Sequence, residues 1–345
     1  MRKDVFCLIP LLEIENVCSE VSFYSLRRAH DSRPVRSRRV SAPARAMEYF
    51  PSHAGGDRAA FKGKTLVVPA VGHGNVGQLA VDLMIQTLVV DRLAPGASGA
   101  SRLGCLDHPS VMPCVGTDAF APIGGGSPRA RATDEGGSQS KVLATALELH
   151  GDERVCPGAV FLQLRGDVCV GASKKFANDL ASFIESCAFA EVVIAASLPS
   201  TAQSAASETV GDTRFRHARF GVFSAKETFE LVTDDRWSRV DVPPIEPDSI
   251  PADKSAATSL LPPWSLLRAV ARVSPKRDAS CLVAVCSEGD NSDDAARAAS
   301  TLVRFLGISV AGEDALHQPE RPKLRDGWSV PSSWLGAYGR RAASR

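Results

Sequence analysis

The sequence predicts an α/β protein, a sandwich of helices around a mostly parallel sheet. Two observations carry that prediction. Short apolar runs recur at 65–71, 159–164, 191–196 and 281–286. They are continuous rather than alternating, the pattern of strands covered on both faces. Amphipathic helical segments follow them along the chain, the order in which a parallel sheet is wound. No internal repeat interrupts that order.

The elements follow in turn. Residues 65–71 read as a buried strand with Pro69 near its end. A glycine-rich turn at 72–77 opens a helix from Val76 to about Val90, with Leu79, Ala80, Leu83, Met84, Thr87 and Leu88 at helical spacing. A small-residue connector at 94–101 precedes a short strand at 102–106, and the Gly/Ser-rich stretch 121–141 reads as a surface insertion. After the strand at 159–164, Ser173 is placed to cap a helix running to about Cys187, with Phe176, Leu180, Phe183 and Ile184 on one face. The strand at 191–196 is of the parallel, buried kind. Pro243, Pro244, Pro247 and Pro251 make 240–260 an irregular loop. A helix begins at Trp264, a strand occupies 281–286, and a last helix spans about 293–306. The tail beyond Gly312 is polar, with Trp328 and Trp334 as its large apolar anchors.

Residues 1–60 read differently, as a disordered or mis-started extension. Met1-Arg2-Lys3 and the apolar run 5–12 imitate a secretory signal, but the run contains Pro10 and lacks a small-residue cleavage site. Seven arginines lie between 26 and 46, opposed only by Asp31. They fit a disordered tail, a stretch upstream of a start at Met47, or an organelle transit segment.

Composition excludes several function classes. The 345 residues are 44% hydrophobic, with 40 Lys+Arg against 39 Asp+Glu. Residues 1–46 hold nine basic and five acidic residues, which leaves 31 and 34 in 47–345, a mildly acidic body. Such a body is not a nucleic-acid binder. No run reaches the roughly 20 apolar residues of a membrane helix. Nine cysteines without a CxxC or zinc spacing read as reduced thiols; Cys169 and Cys281, inside apolar runs, read as buried ones.

Chemistry-bearing motifs are few. Gly72-His73-Gly74-Asn75-Val76-Gly77 matches GxGxxG between a strand and a helix, with Asp91 following. It suits a pyrophosphate at a helix N-terminus. It equally suits a tight turn in which glycines permit close packing and Asn75 is the N-cap. Asp91 falls at a helix end rather than at the end of a second strand. Ser287-Glu288-Gly289-Asp290-Asn291 and Asp293-Asp294 gather carboxylates after a strand. These suit a metal or acid/base chemistry, or a polar turn with acidic residues at a helix start. No GxSxG, HExxH or Walker-A pattern occurs. His73 and His108 are the two histidines placed for testing.

Several segments together resemble the proteasome assembly chaperone 2 family. They are 65–83 with Gly74-Asn75-Val76-Gly77, 111–116, 162–165, 213–216, Ser287–Asn291, and Pro331-Ser332-Ser333-Trp334. They occur in the family's order over about 61–339, with 340–345 as a tail. The resemblance implies a three-layer α/β/α sandwich without catalysis, nucleotide or metal. It implies pairing with a sibling chaperone, binding to proteasome α subunits, promotion of α-ring assembly, and residence in cytoplasm and nucleus. Gly74, Asn75, Val76, Gly77, Ser287, Glu288, Gly289, Asp290, Asn291, Trp334 and Tyr338 become the candidate signature or interface residues, Trp334 either as a buried clamp or as an interface anchor. Some members end in a hydrophobic–Tyr–any residue tail that enters pockets between α subunits. Ala337-Tyr338-Gly339 is similar to it, with six further residues to Arg345. The alternative reading is a dinucleotide- or phosphate-binding enzyme using the Gly72–Gly77 loop.

Overall fold

The computed structural model describes residues 47–52, 57–93, 101–120, 143–200, 215–219, 234–245, 263–273, 277–309 and 323–334. All lie within one unit, 45–345. The insertion expected at 121–141, most of those at 94–101 and 240–260, the head to residue 46 and the tail after Trp334 lie outside the described residues. In chain order the elements are β1 (Glu48–Pro51), β2 (Thr65–Pro69), α1 (Val76–Met84), β3 (Arg102–Asp107), β4 (Val115–Thr117), β5 (Leu143–Thr145), β6 (Leu147–His150), β7 (Ala159–Leu164), α2 (Ser173–Ser186), β8 (Glu191–Pro199), β9 (Phe215–Arg219), α3 (Asp235–Arg239), α4 (Pro263–Val273), β10 (Asp278–Cys286) and α5 (Ser292–Leu306).

Eight strands form one sheet in the order β1-β3-β6-β7-β2-β8-β10-β9. Its centre, β7-β2-β8-β10, is parallel, and antiparallel strands flank it on both sides. Val67 of β2 lies opposite Phe161 of β7 and Val193 of β8. The continuous apolar runs are explained by two covered faces. Leu66, Val68, Val192, Ile194, Cys281 and Val283 point into one core, which α2 and α4 cover. Val67, Val193, Ala195, Leu282 and Ala284 point into the other, which α1 and α5 cover. Each fully buried Leu, Ile or Val contributes about 1.5–3 kcal/mol. The layers are therefore helix, sheet, helix, as the family resemblance implied.

Four details differ from the sequence reading. First, the domain starts before residue 61. Glu48–Pro51 is an edge strand paired with β3, and Met47 is buried. Tyr49 packs edge-on against Phe61, which stacks on Phe189. So short a strand, ending in a proline that only an edge tolerates, leaves little periodic signal. Second, the helix from Val76 is α-helical only to Met84; a π-helical turn, Ile85–Val89, carries it on. Third, Ala172 rather than Ser173 holds the cap position of α2, and no side chain bonds there. Fourth, Cys169 is exposed, as is Cys114. Its segment turns outward after β7 instead of joining the sheet.

Candidate functional site

The strongest sequence motif sits where β2 ends. Gly74 (φ +63°) and Asn75 (φ +57°) are both left-handed. Glycine adopts that conformation freely, and asparagine more readily than most residues. Asn75 occupies the cap position of α1, yet its side chain makes no capping bond. The glycines are there for close approach. A Cβ at Gly72 would lie 2.6 Å from the Ser197 carbonyl oxygen. One at Gly77 would strike the Ala195 carbonyl, and one at Gly74 the Asn291 amide. Val76 is fully buried behind them.

Asn291, in the second motif, packs beside this turn at Gly74. Its Nδ2 donates to the carbonyls of Ser287 and Gly289, both at 3.1 Å. The Cys286 thiol, at the end of β10, donates to the His73 carbonyl at 3.2 Å. Burial, together with the charge of Asp294, pushes the Cys286 thiol up to about 11, so it stays a protonated donor. Asp290 accepts from the N–H of Ser292, the first residue of α5, at 2.9 Å; Asn291 holds the cap position without a capping bond, and Asp293 and Asp294 lie in the first turn. Ser287, Glu288, Gly289 and Asp290 remain exposed. Among the described residues, no three His, Cys, Asp or Glu side chains are grouped to hold a metal.

This arrangement is poorly suited to a pyrophosphate. The space beside each glycine is filled by β8 or by the 286–291 loop. Asp91 lies in a 3-10 turn, buried, and accepts from Gln86 Nε2 at 2.6 Å. It is not at the end of a neighbouring strand, where a ribose contact would require it.

A second cluster lies one helical turn along α1. Asp82 is buried and accepts from Gln163 Nε2 of β7 on one oxygen and from Trp334 Nε1, at 3.2 Å, on the other. Arg165 approaches Asp82 to 3.7 Å and lies over the Phe120 ring; its Nε and Nη2 are buried without a hydrogen-bond acceptor. Gln78, one turn before Asp82, donates to the Leu164 carbonyl at 2.9 Å. Trp334 is 3% exposed, so it is a clamp. The strap leading to it is tied down along its length. Trp328 Nε1 donates to Ser300, the Ser329 N–H to Thr87 Oγ1, and the Ser332 hydroxyl and Ser333 N–H to the Ala119 carbonyl. A cleft of about 260 Å³ remains between Asn75, Gln78, Asp82, Arg165, Ser333 and Trp334. It lies where the helices after β2 and β7 leave for opposite faces, the place where open α/β sheets form crevices.

The structure thus unites four of the six resembling segments. Segment 111–116 lies apart: buried Val111 bridges Val168, and Val115 and Gly116 belong to β4. Thr213, Arg214 and Tyr338 lie outside the described residues. His73 contributes only its carbonyl to the bonds described. His108 is a brace: it bonds Asp179 through Nε2 at 2.8 Å and accepts from the Ser110 N–H at 3.1 Å. Sequence reasoning passed over Asp82, Gln163 and Arg165 as site residues. The available signal was polarity out of place: Gln78 and Asp82 four apart on an apolar helix, and Gln163 inside an apolar strand.

A family model described as the PAC2 family matches residues 66–318. "Proteasome assembly chaperone 2" of Nematostella vectensis is 28% identical over 237 residues, covering 68% of this chain and 86% of its own length. The protein of the same name from Danio rerio is 28% identical over 287 residues, covering 81% and 93%. A solved structure, Pyrococcus furiosus PbaA, described as an archaeal homolog of proteasome-assembly chaperone, matches at 14% identity and a TM-score of 0.45, covering 78% of this chain and 90% of its own.

Proposed function

The chain belongs to the PAC2 family, and on that premise we propose that it is a non-catalytic assembly chaperone of the proteasome core. It pairs with a sibling chaperone of related fold, binds α subunits and promotes formation of the α-ring. The observation that carries this reading is the family match over 66–318, together with relatives named for that role along most of their length. The site supports it in a specific way. Its polar chemistry is structural: glycines admit neighbouring backbone, the Cys286 thiol bonds the His73 carbonyl across the two loops, and Asp82 with Trp334 locks the strap. Such a scaffold acts by shape, through surface complementarity. The same reading places the protein in cytoplasm and nucleus.

Co-purification tests it. A tagged chain expressed in its own cells brings down a sibling chaperone and proteasome α subunits, identified by mass spectrometry. Recovery of neither sinks the proposal.

A further inference from the structure

The cleft beside Trp334 is lined by polar groups that the fold leaves unpaired. Gln78 donates its Nε2 to the Leu164 carbonyl, which fixes the other end of the amide, Oε1, as an acceptor. That Oε1 is buried and receives no donor. Arg165 is its complement. The side chain is 20% exposed, and Nε and Nη2 are buried without an acceptor. Those two N–H groups form one edge of the guanidinium, the kind of fork that pairs bidentately with a carboxylate. Asp82 does not fill that place. Its oxygens accept from Gln163 and Trp334, and it stops 3.7 Å from Arg165. Buried polar groups without partners are costly and call for an explanation. Here an orphaned acceptor and a pair of orphaned donors belong to residues lining the same cleft.

Size and charge restrict what enters. The cleft, about 260 Å³, is smaller than the roughly 300–1,000 Å³ of sites for drug-sized ligands, so it admits one small group. Leu79, Leu164 and Trp334 are buried and give it apolar walls. The exposed Asn75 and Ser333 complete the lining, and both side chains can donate to an oxyanion. Asp82 already faces Arg165, so a dianion such as phosphate would set two further negative charges against one cation. A carboxylate adds one charge, and its planar oxygens match the fork. Gln78 Oε1 requires an N–H on the same ligand.

We infer that this cleft binds a carboxylate with a neighbouring amide N–H, the chemistry of an N-acylated amino acid or of the last residue of a polypeptide. Arg165 takes the carboxylate, Gln78 Oε1 takes the N–H, and a small side chain lies against Leu79 and Leu164. The inference is independent of the chaperone role and adds a ligand site to it.

Proton–nitrogen correlation spectra of the full chain test the assignment. They are read at the indole N–H of Trp334, which bonds Asp82 in the wall of the cleft. That signal is the one of four that Trp334→Phe removes. N-acetylalanine shifts it saturably. N-acetylalanine amide, which lacks the carboxylate, binds at least about tenfold more weakly, and propanoate, which lacks the N–H, at least about threefold. Arg165→Gln lowers the affinity for N-acetylalanine by at least about tenfold. Arg165→Lys, which keeps the charge without the fork, lowers it less. A short alanine peptide with a free carboxyl end that binds as well assigns the cleft to a chain terminus. Exclusion of that peptide, with the acid still bound, assigns it to a small free acid. Three results overturn the proposal. One is a Trp334 signal unmoved by N-acetylalanine up to about 50 mM, well above the millimolar range expected of so small a ligand. The others are equal binding of acid and amide, and tighter binding of inorganic phosphate than of the acid. These ligand comparisons use the wild-type chain, so they decide the matter even where Arg165→Gln fails to fold.

Discussion

Two regions at the carboxyl end of the central strands use their residues in opposite ways. Around α1 the polar residues turn inward: Asp82, Gln163, Asn291 and Trp334 bond one another or nearby backbone and are nearly inaccessible. On the β4–β5 ribbon and its neighbours the apolar residues turn outward, with Val115 at 69% and Val170 at 70% exposure. Buried polar groups are costly when unpartnered, so the bonds of Asp82 to Gln163 and Trp334 hold the first region together. Exposed apolar groups contribute little to the stability of the free chain, so the second region adds little to the core. The motif that most resembles an active site is thus built as a packed turn.

The comparison breaks most visibly at Trp334. Trp334→Ala removes a buried indole and leaves Asp82 short of a donor. A loss of about 3–5 kcal/mol is expected, read from urea unfolding. A loss under about 1 kcal/mol would show that the strap is not a clamp. Gly77→Ala comes next, because its Cβ meets the backbone of β8, which cannot swing aside. Overpacking of this kind costs about 1–3 kcal/mol or more.

Gly74 gives a sharper version of the same test. Its Cβ would meet the Asn291 side chain, and its φ of +63° adds strain for any other residue. In a double-mutant cycle, Asn291→Ala relieves the first cost but not the second. Gly74→Ala and Asn291→Ala should therefore be non-additive by about 0.5–3 kcal/mol. Strict additivity would mean that the two motifs do not touch.

Glu148 links the ribbon to the sheet and makes the contrast pH-sensitive. Burial pushes its carboxyl up, but the hydrogen bond and charge of His150 and the bonds from Arg102 and the Thr145 N–H outweigh this, so it lies below its ordinary value of 4.5. A folded-state value below the unfolded one stabilises the protein above pH 4.5, and that stability is lost as pH falls through the folded value. Glu148→Gln should flatten the acid limb of the stability curve, measured as urea midpoint against pH. An unchanged acid limb would show that Glu148 is not the anchor. The smallest effect is expected at Val115→Ser: exposed positions usually stay within about 0.5 kcal/mol, checked by the same unfolding curves.

Much of the fold was legible because the central strands are continuous apolar runs and the helices after them are amphipathic. The edges were not. β1 is four residues long with a terminal proline, and β4 and β5 have three residues each, too short for a period to register. The candidate site was half legible. The glycine turn and the 287–291 loop are visible as motifs, but their contact is made across β8 and depends on strand order, which spacing alone does not encode. Trp334 read equally as clamp or anchor until its indole was placed on Asp82. Arg165 stands in the resembling segment 162–165, but only the fold brings it beside Asp82 and Phe120.

Under the proposed function, this chain and a sibling speed assembly of the α-ring without chemistry of their own. The most direct measurement mixes purified α subunits with and without the co-purified pair and follows ring formation by native mass spectrometry. Faster ring formation, with the pair bound to α-subunit intermediates, is the expected result. A rate of ring formation unchanged by the pair, with no α subunit bound to it, would contradict the account.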